Sequence, residues 1–146
     1  MKYLLTILLT MVSSSVFAGD WYQVSSDAMT WRSVSKNKEN ISMQVSREDG
    51  LSVLIETDKC QYKNQERELG QSMNIMTKMD DGNRIPIRFD FYCQDKGVLA
   101  YVVQMKDYNM LLDMFRVANV VYIGEVEISA VGFSGALKQM SDAILK

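Results

Sequence analysis

The chain has 146 residues, 16 basic against 18 acidic, and no histidine. That size allows a real hydrophobic core in one domain, and the mild acidity offers no basic face for nucleic acid or an anionic membrane. The missing histidine removes the commonest general base, triad partner and metal ligand together.

Met1–Ala18 reads as a secretory signal peptide. Lys2 supplies the positive start, Tyr3 to Val12 is mostly apolar, and Val16-Phe17-Ala18 is an A-x-A-like exit. Cleavage near Ala18 would leave 128 residues, 15 basic and 18 acidic, as a single globular domain over 19–146. The apolar run is short for a bilayer span and no later run approaches that length, so no transmembrane segment is expected after processing. The expected location is the periplasm or the secreted space. Both cysteines, Cys60 and Cys93, lie in the exported part, and in an oxidising compartment they are expected to form one disulfide. Closing a loop of about 34 residues contributes about 3–4 kcal/mol in the chain-entropy account. A redox-active pair would ask for closer spacing, as in C-x-x-C.

Along the chain, strands come first. Ile41, Met43 and Val45 alternate with Ser42, Gln44 and Ser46, predicting a half-buried strand. Asp49-Gly50 marks a turn, and Leu51, Val53 and Ile55 resume the alternation as the second arm of a hairpin. Residues 58–70 read as a polar loop. Met73, Ile75 and Thr77 suggest a strand, and Asp80-Asp81-Gly82-Asn83 a turn. Ile85, Ile87, Phe89, Phe91 and Cys93 then share one face of a longer strand, which points Cys93 inward. Pro86 lacks a backbone donor and places that strand at an edge or makes it irregular near its start. Val98–Met105 is apolar enough for a central strand. The period then changes: Tyr108, Leu111, Leu112, Phe115 and Ala118 form a helical stripe, with Asp107 placed to cap its start and Asn119 to end it. Val120–Ile123 and Val126–Ser129 are strands interrupted or joined at Gly124. Phe133, Ala136, Leu137, Met140 and Ile144 mark a final helix. The fold class is therefore α+β: a β-rich antiparallel sheet or sandwich of about six to eight strands with two C-terminal amphipathic helices.

Candidate chemistry is sparse, and no catalytic residue, metal site or cofactor motif is assigned. Gly132-Phe133-Ser134-Gly135-Ala136 stands between strand and helix, where a nucleophile elbow would sit. Without histidine the simpler reading is a turn at Gly132 with Ser134 helping to cap the helix. Ser33-Val34-Ser35-Lys36 matches S-x-x-K but reads as a solvated loop. Met73, Met76 and Met79 could offer an adaptable surface or a thioether copper site, against ordinary core filling. The carboxylates Glu66, Glu68, Asp80 and Asp81, and the pair Glu125/Glu127, fit turns and solvated faces. Trp21, Tyr22 and Trp31 are either core or, if exposed, a platform for a partner. Partner-binding candidates are thus Trp21, Tyr22, Trp31, Glu66, Glu68, Asp80 and Asp81.

Two segments resemble a known family. Gly19-Asp20-Trp21-Tyr22-Gln23-Val24 resembles the G-D-W-x-V opening of the invasion-associated locus B family of exported bacterial proteins. Val126 through Leu137 resembles that family's close, a strand followed by G-F-S-x-A-L at the start of a helix. The chain departs from the pattern at Ser25, in the neighbourhood where the family usually places a cysteine. The resemblance implies a periplasmic or surface β-rich domain linked to host interaction, with no catalytic residues to carry over. The expected function is a non-enzymatic, disulfide-stabilised binding protein of the bacterial envelope, recognising another protein or an envelope component. A periplasmic immunity or inhibitor protein blocking a toxin or hydrolase is one alternative. A histidine-free hydrolase is the other.

Overall fold

A computed structural model describes residues 17–24, 29–61 and 71–144. Residues 1–16, most of the expected signal peptide, and 62–70, with Glu66 and Glu68, lie outside the described residues. The strands are β1 (Phe17–Ala18), β2 (Trp21–Gln23), β3 (Thr30–Val34), β4 (Ile41–Ser46), β5 (Gly50–Glu56), β6 (Ser72–Met79), β7 (Arg84–Asp95), β8 (Val98–Val103), β9 (Val120–Ile123) and β10 (Val126–Ser129). Helix α1 (Met105–Val117) follows β8 and α2 (Phe133–Ile144) follows β10. Among the described residues these ten strands join one antiparallel sheet in the order β1-β2-β3-β4-β5-β8-β7-β6-β9-β10. There are more strands than the alternation pattern predicts, and they form one curled sheet, not a sandwich of two. The helices are separated by the β9–β10 hairpin.

The β4–β5 hairpin forms as the alternation predicts, from Ile41↔Ile55 to Ser46↔Gly50. Gly50 takes φ +68°, and a Cβ there would stand 3.0 Å from the ring of Tyr108. β8 lies between β5 and β7, the central place its apolar run suggests. Pro86 is paired on one side only: β7 runs beside β6 there, and its ladder with β8 begins at Phe89. The missing donor therefore faces no strand.

Helix α1 forms on its apolar stripe, burying Leu111, Leu112, Met114 and Phe115. Its N-cap is Gln104, with no side-chain cap. Asp107, expected as the cap, sits inside the first turn, where Oδ2 accepts the Arg88 backbone N–H at 2.8 Å and ties the helix to β7. Ala118 is the C-cap. The core lies between the helices and one sheet face, and draws on Trp31, Met43, Val53, Phe89, Val121 and Ile128 from alternating strand positions. Burying side chains of this size contributes about 1.5–3 kcal/mol each in transfer terms.

The expected disulfide is present: Cys60 and Cys93 are bonded, with Cα atoms 5.5 Å apart. Both are buried. The Gly97 backbone N–H also donates to the Cys60 carbonyl at 2.8 Å, so the segment after β5 is fixed to the β7–β8 hairpin.

The curled sheet nearly meets itself. Lys36 N–H donates to the Glu127 carbonyl at 2.9 Å, and the Ser35 hydroxyl to the same oxygen at 3.0 Å. Asn37 completes the seam by accepting from Glu127 N–H at 3.0 Å and donating Nδ2 to the Glu125 carbonyl at 2.8 Å. A turn therefore closes on β10 where a further strand would close a barrel. This corrects the reading of Ser33–Lys36 as a solvated loop: Ser33 and Ser35 are buried, and only Val34 and Lys36 are exposed.

Candidate functional site

The two ends of the sheet are joined by a clasp. Asp20 N–H donates to the Val131 carbonyl at 2.9 Å, and Trp21 Nε1 to the Ser129 carbonyl at 2.9 Å. The Ser129 hydroxyl donates to the Asp20 carboxylate and accepts from Val131 N–H. The Trp21 ring meets Phe115 edge-on at 5.9 Å and Phe133 at 5.1 Å, all three fully buried. Trp21 and Trp31 are each 0% exposed. Both indoles are core, which removes them from any partner surface. Ser129 and Asp20 make a serine–carboxylate pair, but the hydroxyl is already committed on both sides and buried. It fastens the chain.

Ser134 is exposed in the first turn of α2 and caps nothing. Gly132 holds the cap position, its carbonyl accepting from Ala136 N–H at 3.0 Å. Lys138, one turn on, is bonded to Asp142 at 2.8 Å. That hydrogen bond and the opposite charge hold its ammonium above the usual lysine pKa, so it is a poor base for the serine. Asp80 and Asp81 are exposed, and both serve local structure. Asp80 accepts from Asn119 N–H at 3.2 Å, and Asp81 from the Asn83 backbone and side-chain amides at 2.9 Å each. Met73 and Met76 are exposed on opposite faces of β6, and Met79 packs against the core, so the three do not converge. Among the described residues no group of three histidine, cysteine or acidic side chains could hold a metal.

A depression lies elsewhere, on the sheet face turned away from the helices. Alternation puts Trp31, Met43, Val45, Leu51 and Val53 in the core, so Arg32, Gln44 and Ser52 point the other way. Register sets them side by side: Tyr22↔Arg32 across β2–β3, Arg32↔Gln44 across β3–β4, Gln44↔Ser52 across β4–β5. Arg32 and Gln44, with Tyr22, Leu54 and Tyr92, help to line a groove of about 540 Å³; Ser52 is Gln44's neighbour in the ladder and is not among the lining residues. This is within the size range of small-molecule sites. A second depression, of about 430 Å³, shares Gln44, Glu48, Asp49 and Gln94 with it and continues past Arg47.

The polar chemistry around the groove is unusual. Gln44 is 5% exposed and Ser52 1%, although both are on the face that alternation assigns to water. Arg32, half-buried, donates Nη2 to Gln44 Oε1 at 2.7 Å. Its buried Nε–H has no acceptor, and the buried Ser52 hydroxyl has no partner. The Gln44 amide nitrogen has no hydrogen bond among the described residues. Ion pairs among those residues are Arg116–Asp113 and Lys138–Asp142, so Arg32 is not paired with a carboxylate. Yet Glu39, Glu48, Asp49, Glu56 and Asp95 all line the same groove. The site holds one cation that makes no direct ion pair and five anions around it.

Of the partner-binding candidates that fall among the described residues, Trp21, Tyr22, Trp31, Asp80 and Asp81, Tyr22 alone lines this site. Arg32, Gln44 and Ser52 were not legible as a group, because their neighbourhood depends on strand register. Comparison of the chain with protein-family models, curated proteins and solved structures gives no match.

Proposed function

We propose that this is an exported, non-enzymatic binding protein of the bacterial envelope that engages another protein or envelope component at the Arg32–Gln44 groove. One observation carries the reading: Arg32, with no ion-pair partner, and Gln44, whose amide nitrogen has no acceptor among the described residues, line a concave site on a disulfide-fastened fold. Buried polar groups cost stability unless bonded, so donors left over in a cavity point to a ligand that supplies the acceptors. Export agrees with the Cys60–Cys93 bond, since such bonds persist in oxidising compartments. Among the described residues no helix is long and apolar enough to cross a membrane.

The family resemblance belongs to the same proposal. Its two segments, Gly19–Val24 and Val126–Leu137, pack against each other in the clasp, which supports treating them as one structural unit. The inhibitor reading also keeps an observation in its favour, the acidic rim of the groove, which suits a cationic partner surface.

The test is retrieval of a partner from envelope extract by the immobilised, oxidised protein, beside Arg32→Gln, at low and moderate salt. A component retained by the parent and lost in the variant is the expected result. Retention that ignores Arg32 would remove the groove from the proposal. Turnover of an ester, peptide or glycan substrate that disappears in Ser134→Ala would replace binding by hydrolysis.

A further inference from the structure

We infer that the groove binds a short cationic peptide through its free C-terminal carboxylate, seated on Arg32. The inference rests on the binding reading above and names the ligand class for the same site.

The cation comes first. A guanidinium offers five donors in a planar fork that matches a carboxylate in two-point contact. In this protein one donor goes to Gln44 Oε1, and the buried Nε–H has no acceptor. A partly buried cation without a direct ion pair is costly, and an anion delivered by a ligand removes that cost. Gln44 stands beside it, 5% exposed, with Oε1 engaged and its amide N–H groups free to donate. The floor thus presents donors to a planar, acceptor-only group. A carboxylate is such a group.

The rim then chooses the rest of the ligand. Five carboxylates, Glu39, Glu48, Asp49, Glu56 and Asp95, line the groove around a single arginine. Their field opposes phosphates, sulfates and other multiply charged anions, which excludes nucleotides and polyphosphates despite the arginine. A single carboxylate carried by a body bearing ammonium groups satisfies floor and rim together. Glu39 stands at the β3–β4 turn and Glu48 and Asp49 at the β4–β5 turn, so the acids flank the arginine along β4. A few extended residues, at about 3.4 Å each, reach from the middle of β4 to either end. The ligand therefore has its carboxyl terminus at Arg32 and an amine within a few residues of it.

Titration of the oxidised full chain with lysyl-alanyl-alanine, followed by calorimetry or by amide chemical shifts, tests this. Four arms are compared: the free acid, its C-terminal amide, glutamyl-alanyl-alanine and inorganic phosphate. The free acid is expected to bind, with shifts centred on β3 and β4 and an affinity that falls with added salt. The amide and the glutamyl peptide should bind about tenfold or more weakly, the scale of one charge-assisted hydrogen-bonded contact. Arg32→Gln should lose the preference for acid over amide, and Arg32→Lys should retain part of it. Matching thermal melts of both variants establish that the fold is intact. Equal binding of acid and amide, preference for phosphate, or no binding by the acid at millimolar concentration each overturns the inference. If the acid fails while an envelope component is still retained through Arg32, the ligand class is wrong and the binding reading stands. If both fail, the binding reading falls with it.

Discussion

In the clasp between Gly19–Trp21 and Ser129–Phe133, every buried polar side-chain atom has a partner, and three aromatic rings fill the space beside them. Around the groove, on the other face of the same sheet, the Arg32 Nε–H and the hydroxyl of Ser52, Gln44's neighbour in the ladder, are buried without one. Both regions use strands of the same ladder, so backbone pairing does not explain the difference. Satisfied polar groups around an apolar core add stability, whereas unsatisfied ones subtract from it and are retained where something else repays them. Substitutions in the clasp should therefore unfold the protein, and substitutions in the groove should leave it folded.

The largest effect is expected at Trp21. Trp21→Ala opens a cavity between Phe115 and Phe133 and strands the Ser129 carbonyl, at a cost of about 3–5 kcal/mol. Urea denaturation measures it, and a loss below about 1 kcal/mol would mean the clasp is not a stability element. Next comes the covalent tie: replacing Cys60 and Cys93 together by serine should cost about 2–4 kcal/mol and lower the urea midpoint. Gly19→Ala follows. Gly19 has φ +57°, and a Cβ there would lie 2.5 Å from the Val131 carbonyl oxygen and 2.8 Å from Gly132 Cα, both backbone. A cost of about 2 kcal/mol is expected from the left-handed backbone and the overlap combined. The smallest effect has the opposite sign. Ser52→Ala removes a buried hydroxyl that bonds nothing, and should be neutral or stabilising by up to about 1 kcal/mol. A clear destabilisation there would show that the hydroxyl is satisfied after all, and the contrast between the regions would collapse.

The parts of the molecule that were legible beforehand are those where one local pattern decides the outcome. Ile41–Ile55 alternates cleanly about Asp49-Gly50 and forms the hairpin. Leu111, Leu112 and Phe115 repeat at helical spacing and are buried on α1. Pro86 announces a one-sided stretch of β7 by its missing donor. By contrast, β3 carries no clear alternation, because Ser33 takes an inward position beside Trp31 and breaks the apolar repeat. Asp107 resembles a cap by type and place, yet the amide it serves is 19 residues away on β7. The groove is the extreme case. Arg32 and Gln44 look like ordinary outward-facing polar residues, and they come together in a site only when β3 and β4 pair in register.

Trp21 and the Ser129 carbonyl are 108 positions apart in the chain. The first strand of the core thus waits for the last helix before its ring has a socket. Contacts between segments this far apart slow folding, because the loop between them must be closed before they form. A fold fastened by so distant a pair joins its early and late segments in one cooperative step.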